Sequence, residues 1–539
     1  MPRQMELHAL ATFAVPIDSP HTAAKTVPSC HDSDRRFAAL LVSALTLLAL
    51  LIHGYHPYAE DGGLYLAGIE RLVDPSLFPH STAFVLEPTR FSLFAPGIAA
   101  LVRLTHLALP EVLLALHLAT LCATLFAAWM LAARCWPTRT ARVGAVVLLA
   151  CWLTLPVAGT ALVLMDPYLT ARSISTPCMA LALVAVLDLT SASGTRKRLH
   201  AILRCIAIFA LAAAMHPLMA AYAFGASALL ACLRCADRRI RLGATTALAL
   251  AALAAAAILN FIATPESADY RRIALTRTYW FPTQWSWYEL LGLAAPLAIL
   301  ALCMLRRPAQ ARPGAACALA QMAVVSGATA FFIAALFAHP TSSTYLIARL
   351  QPLRVFQVVY LVMILTLGAK LGESILQRSL GRWVAAVLLL GGIMFAAARS
   401  GFPSSPHLEL PGMTPRNEWV EAFLWIRQYT PQDALFALAP DYINSPGEDA
   451  QCFRSIAQRS ALPDYSKDGG EASIDPDLAP AWTAGQLAQL GLNASTTTDA
   501  MRHAALAPLG VTWVVLNAQT STHFTCPYTN SAVKVCRLP

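Results

Sequence analysis

Apolar runs of about 17–25 residues recur along most of this chain, each long enough to cross the hydrocarbon core of a bilayer as a helix. Inside a bilayer every backbone N–H and C=O must find a partner within the protein, which leaves helices and closed barrels. A barrel needs short alternating segments, and these runs are continuous. The expected fold class is therefore a polytopic α-helical membrane protein. Only 13% of the residues are charged, against about 25% in a soluble domain. The formal net charge of +9 does not point to nucleic acid. The basic residues lie in short loops between apolar runs, where they report topology.

Eleven runs are expected to span, near 37–53, 111–133, 143–164, 174–190, 199–215, 217–233, 244–263, 289–305, 315–337, 355–372 and 383–398. Every second loop is basic. Arg35 and Arg36 precede the first run, and Arg134, Arg139 and Arg142 follow the second. Arg196 to Arg198, Arg234 to Arg241, Arg306 to Arg312 and Lys370 to Arg382 continue the alternation. Cytoplasmic basic loops put the N-terminus inside and the C-terminus outside a plasma (bacterial inner) membrane. Residues 1–36 then form a disordered cytoplasmic tail, and 37–399 the transmembrane domain, with a first outer loop at 54–110. The stretch 91–110 is apolar but carries Pro96, Gly97, Arg103 and His106. A span there would move every later loop to the wrong side, so an interfacial helix with a snorkelling Arg103 is expected.

After Arg399 the composition changes. Residues 400–539 gain prolines and acids and lose spanning runs, which predicts a small extracytoplasmic α/β domain (periplasmic or extracellular). NEWVEAFLWIRQYTP (417–431) has helical spacing and ends at a proline. DALFALAP (433–440), GVTWVVLNA (510–518) and VKVCRL (533–538) read as strands. Cys526 and Cys536 are placed to close a hairpin in an oxidising compartment, with Cys452 left over.

The unexpected polar groups all map to one side of this topology. Glu60 and Asp61 stand side by side in HGYHPYAEDGG, just past the first run, with His80 and Glu87 further on. Carboxylates at a membrane boundary are costly to desolvate and are kept for chemistry, ion binding or solvation. Asp166 and Arg172 lie in MDPYLTARSIST, His216 in MHPLM, Arg271, Arg272 and Arg277 in the next outer loop, and His339, Arg349 and Arg354 in HPTSSTYLIARLQPLR. Arginines on the outer side run against the positive-inside bias. They either pair with acids or hold a lipid-linked phosphate. A carboxylate here can take a proton from an acceptor hydroxyl, while arginine neutralises a departing phosphate. Tyr279, Trp280, Phe281, Trp285, Trp287 and Tyr288 read as an interfacial aromatic belt. A divalent metal on His56, His80, His216, His339, Asp61 and Asp166 is the one cofactor left open, although no ligand spacing supports it.

The acidic pair in the first outer loop, the interfacial segment before the second span, Asp166 after the third span and the outer α/β domain resemble the GT-C superfamily. These membrane glycosyltransferases use polyprenyl-phosphate sugars and include the protein O-mannosyltransferases and the lipid A aminoarabinose transferase. WIRQYTPQDALFALAP, FRSIAQRSALPDYSKDGG and LGVTWVVLNA are similar to the tail of uncharacterised bacterial members. No WWDYG-type motif of the N-glycosylating branch is present. The resemblance implies a polyprenyl-phosphate-linked sugar as donor, a glycan, lipid or protein as acceptor, and contact with membrane lipid. It implies Asp61 as catalytic base with Glu60 beside it, Asp166 as support for substrate or metal, and Arg349 or Arg354 as the donor-phosphate ligand. Arg172 and His216 join these as substrate-binding candidates. Two other readings stay open: a non-catalytic membrane protein of the same fold that binds a glycan or lipid, and a transporter or flippase.

Overall fold

A computed structural model describes residues 30–80, 82–152, 156–160, 162–305 and 314–539. The chain divides into two compact units, 1–41 and 42–539. The expected tail 1–36 falls mostly outside the described residues, and its last stretch is already helical, because the first helix is Cys30–His53.

Nine helices among the described residues are long and apolar enough to span a bilayer. They cover Asp34–His53, Leu109–Cys135, Ala171–Ser191, Thr195–Met215, Arg238–Ile262, Trp287–Met304, Ala315–Phe337, Leu346–Leu376 and Leu380–Gly401. The protein is thus a polytopic helical membrane protein. Two of the eleven runs form shorter helices. Pro217–Leu233 is one. The other corrects the expected span 143–164: its helix is Arg139–Ala150, only 12 residues. Near Pro156 the chain is irregular, with the short turn Val157–Gly159. The short helix is compensated by contact at close range. A methyl group on Gly144 would stand 2.2 Å from the carbonyl oxygen of Gly368, so the two backbones touch. Its last carbonyl, on Ala150, accepts from His53 Nε2 at 2.9 Å, level with the end of the first helix.

The stretch 91–110 contains the helix Phe94–Thr105, too short to span alone, bent 94° from the helical turns of Thr82–Thr89. Arg103 on it is exposed. The aromatic belt is corrected in part. Trp287 and Tyr288 are exposed, but Trp280, Phe281 and Trp285 are buried. Phe281 meets Tyr345 edge-on at 5.4 Å, and Trp285 lies against Gly159, so packing rather than lipid claims these rings.

Residues 400–539 form the predicted mixed region. Its five strands are β1 (Leu435–Ala437), β2 (Ser460–Ala461), β3 (Trp513–Asn517), β4 (Tyr528–Thr529) and β5 (Val533–Arg537), in the order β2-β1-β3-β5-β4. β1 is parallel to β2 and β3, and β5 is antiparallel to β3 and β4. Alternation along the strands puts Phe436, Trp513, Val515, Val533 and Val535 on one face, against Trp419, Phe423 and Ile426 of the helix Glu418–Tyr429. Leu435, Val514 and Leu516 pack on the other face. Cys526 and Cys536 are disulfide-bonded, and Cys452 is a buried free thiol. Backbone bonds stitch this region to the first loop: Tyr55 N–H to His407 O at 3.0 Å, Cys452 N–H to Tyr58 O at 2.9 Å, and Glu60 N–H to Ala450 O at 2.8 Å. The sheet therefore sits at the end of the bundle that carries Glu60 and Asp61.

Candidate functional site

Glu60 and Asp61 open the helix Glu60–Val73. Free N–H groups and the helix dipole favour acids in that first turn. Gly62 and Gly63 follow because nothing larger fits. A methyl group on Gly63 would lie 2.2 Å from Tyr58 O, and one on Gly62 2.8 Å from Tyr168 Cβ. Glu60 adopts a left-handed φ of 54°, a conformation that costs an L-residue about 1–2 kcal/mol. The turn is forced against its neighbours, and the two carboxylates are its result.

Two cations meet the pair from opposite directions. Arg172, in the first turn of the helix Ala171–Ser191, brings Nη2 to 3.3 Å from Asp166 Oδ2 and 3.5 Å from Asp61 Oδ2. Lys467, first residue of the helix Lys467–Ile474 in the sheet region, donates to Glu60 and reaches Asp61 Oδ1 at 3.1 Å. Asp61 keeps 34% of its side chain exposed, while Asp166 keeps 4%. Burial acts on both, and the number of cations at each separates their acidities. Burial would raise Asp61, but Lys467 and Arg172 outweigh it and hold the carboxyl well below the usual range. Burial dominates at Asp166, with Asp61 adding repulsion, and pushes it up to about 6 against the pull of Arg172. Among the described residues Asp166 Oδ1 has no hydrogen-bond partner, and Asp166 borders a cavity of about 20 Å³ with His117, Ser173 and Thr176.

Arg354 also acts on Asp61, and its Nε donates to Gln351 Oε1 at 2.8 Å. No acid pairs with it among the described residues. His216 caps the helix Pro217–Leu233, accepting from Met219 N–H at 3.5 Å. Burial, then Arg354 and Arg172, pull its imidazole down to about 3, so it is neutral at physiological pH. The structure thus gathers Glu60, Asp61, Asp166, Arg172, His216 and Arg354. It does not bring Arg349 to them. Arg349 pairs with Glu266 at 3.4 Å, donates to Ile474 O at 3.2 Å and lies over the Tyr270 ring. The arginines of the loop after 263 staple chain to chain: Arg271 donates to Ser342 O and Arg277 to Ser466 O, both at 2.7 Å.

The histidines weighed for a metal are dispersed. His56 is buried, bonded to Glu409 at 3.1 Å and stacked on Phe402. His80 meets Asp433 O, and His339 meets Thr341. Among the described residues no group of three or more His, Cys, Asp or Glu side chains is placed to hold a metal ion.

Lys467 was not legible as a site residue. It sits in SKDGG, a polar stretch that reads as a loop. The one available signal was a lysine in a segment assigned to the outer side.

No protein-family model matches this chain, and no curated protein sequence matches it. Among solved structures it is similar to the arabinofuranosyltransferase AftD from Mycobacteria, with 14% identity and a TM-score of 0.48. The match covers 94% of this chain and 40% of that one, so the chain spans well under half the length of that protein.

Proposed function

We propose that the charged cluster of Asp61, Arg172, Asp166, Lys467 and Arg354 transfers a sugar from a polyprenyl-phosphate donor to an extracytoplasmic acceptor. The observation that carries this reading is charge placement. Four of these groups neutralise one another within 3.1–3.5 Å, and Arg354 stands at their edge without an acid partner among the described residues. A guanidinium so placed suits a phosphate that leaves with its lipid. The leaving phosphate needs no protonation, so a cation and a carboxylate suffice for the chemistry. Asp61 receives the acceptor hydroxyl as its base, with Glu60 beside it and both steadied by Lys467. Arg172 and Asp166 fix its orientation, and His216, under the influence of Arg354 and Arg172, stands by as a neutral group.

The alternation of basic loops supports an orientation with the charged cluster and residues 400–539 outside a plasma membrane. The GT-C likeness of the first loop agrees with this chemistry. The test uses purified protein, a radiolabelled polyprenyl-phosphate pentose or hexose, and a cell-envelope glycan or lipid fraction as acceptor. Asp61→Asn keeps size and hydrogen bonding but is a far weaker base, and turnover is expected to fall by roughly 10²–10⁴-fold with donor binding retained. Arg354→Ala is expected to raise the donor KM. Full activity in Asp61→Asn, or no binding of any polyprenyl-phosphate sugar by the unmodified protein, would sink the reading.

A further inference from the structure

A cavity of about 190 Å³ opens where residues 405–427 pass the start of the first loop. Tyr55 and Tyr58 line it from the chain just after the first membrane helix. Pro110 lines it from the first turn of the spanning helix Leu109–Cys135, which sets the cavity where a membrane helix begins. The helix Glu418–Tyr429 contributes Val420, Leu424 and Arg427, whose spacing of four and three residues puts them on one face. Leu410 and Met413, from the stretch before that helix, complete an apolar wall and are themselves exposed. The walls are fixed to one another by backbone bonds. Tyr55 N–H donates to His407 O at 3.0 Å, and Glu409 N–H donates to Tyr55 O at 2.9 Å.

The polar groups on these walls divide into engaged and free. Glu409 is the single acid among the lining residues. Its Oε1 accepts from Gln451 Nε2 at 2.9 Å and lies 3.1 Å from His56 Nδ1. Asn417 is fully used: Oδ1 accepts from Trp419 N–H at 2.9 Å, and Nδ2 donates to Ser405 Oγ at 3.2 Å and Glu448 O at 3.1 Å. Arg416 and Arg427 also line the cavity, and neither guanidinium has a hydrogen-bond or ion-pair partner among the described residues. The Tyr55 hydroxyl is buried, again without a partner among them. Two arginines against one acid leave the lining with a net positive charge. Free guanidinium groups only donate, and a tyrosine hydroxyl can donate too, so the fitting ligand is rich in acceptor oxygens and negative. Arg416 and Arg427 are 11 positions apart, roughly 16 Å at helical rise. An anion the size of a lipid headgroup suits that separation better than a lone phosphate ion.

We propose that this cavity binds the anionic headgroup of a membrane phospholipid. Arg416 and Arg427 donate to the phosphate and headgroup oxygens, and the Tyr55 hydroxyl supplies a further donor. The acyl chains run past Leu410, Met413 and Pro110 into the bilayer, where exposed apolar side chains meet like surface. The site does not depend on the glycosyl-transfer reading, and it is distinct from the phosphate contact assigned to Arg354. A lipid seated here touches both the start of the first loop and the residues that lead into the sheet region. It therefore binds the folded junction and stabilises it by mass action.

The test is native mass spectrometry, with melting curves alongside, on the full-length protein freed of lipid in detergent. Phosphatidylglycerol is the probe, and phosphatidylcholine with the same chains and inorganic phosphate are the comparison arms. Phosphatidylglycerol should bind and raise the melting temperature, with the other two clearly weaker. Arg416→Gln and Arg427→Gln should each weaken phosphatidylglycerol binding by roughly 10-fold, the loss of a charge-assisted contact. Leu424→Trp, which fills the cavity without changing charge, should abolish binding. Arg272→Gln removes an exposed arginine paired with Asp269 and should leave binding unchanged. Equal binding of phosphatidylcholine, or unchanged binding in the double variant of Arg416 and Arg427, overturns the proposal. Inorganic phosphate that competes at the same concentration as the lipid overturns the assignment to a lipid. If the double variant failed to fold, its lipid-free melting curve would show it. Leu424→Trp then decides, because binding retained in that variant overturns the site.

Discussion

The ammonium of Lys467 lies 3.1 Å from Oδ1 of Asp61, across 406 positions of chain. Residues 400–539 therefore do more than cap the membrane helices. They supply one of the two cations that balance the first-loop acids, and Arg172 supplies the other. The backbone bonds from Cys452 and Tyr55 hold the two segments in register, so Lys467 arrives in a fixed position.

Removing that ammonium should leave three clustered acids with Arg172 as their partner. Breaking a fully buried pair costs about 3–5 kcal/mol. Glu60 and Asp61 are each more than a third exposed or close to it, at 43% and 34%, so solvent screening reduces the expected loss to about 1–2 kcal/mol. Lys467→Met should lower the melting temperature in detergent. The double variant Lys467→Met with Asp61→Asn should recover part of the loss, because the uncompensated charge is gone. Additive effects in this double-mutant cycle would show that the contact has no energetic weight.

The layout was legible because ionisable residues stand out in an apolar chain. Glu60, Asp61, Asp166 and Arg172 could be singled out from their place at the ends of runs, and the structure brings them together. β1, β3 and β5 were visible as short apolar stretches between turn residues. Lys467 was hidden for the converse reason, since charges are ordinary in a polar segment and only tertiary packing makes this one unusual. Arg349 and Arg354 were indistinguishable, because five residues of spacing say nothing of partners. Glu266 claims the first, and the second is left without an acid partner among the described residues. Hydropathy also overread 143–164. It measures how apolar a segment is, but not whether Pro156 and close backbone contact have replaced half of the helix.

Glu70 should give stability a pH dependence of known sign. It is 7% exposed, and its Oε1 accepts from Gln458 at 2.9 Å. Burial pushes its carboxyl up to about 8, against the weaker pull of Gln458 and Arg427. An unfolded glutamate titrates near 4.3. Between those values the folded state binds more protons, so the contribution of Glu70 is full below the unfolded value and is lost as pH rises toward 8. The loss across the whole window is on the order of 5 kcal/mol. Glu471 and Asp166, also raised, act in the same direction. Melting temperature should fall from pH 5 to pH 8 in the unmodified protein, on the order of the window set by these values. Glu70→Gln should fall less steeply without becoming flat. An unchanged slope would mean that Glu70 is already ionised in the folded protein.

The contact between Gly144 and Gly368 carries the short helix on which the Asp166 loop depends. A methyl group on Gly144 would meet Gly368 O at 2.2 Å and Gly372 Cα at 2.9 Å. Both obstacles are backbone, so no side chain can swing aside and the helices must part. Overpacking of this kind costs about 1–3 kcal/mol. Gly144→Ala should therefore lower the melting temperature, and it should lower turnover too, because Arg139–Ala150 precedes in sequence the segment that presents Asp166 to Arg172. Gly392→Ala is the control. Among the described residues nothing lies within 4 Å of its added methyl, so the same change of residue in another membrane helix should leave stability and activity unaltered. Equal behaviour of the two variants would show that the close approach at Gly144 does not hold the site in place.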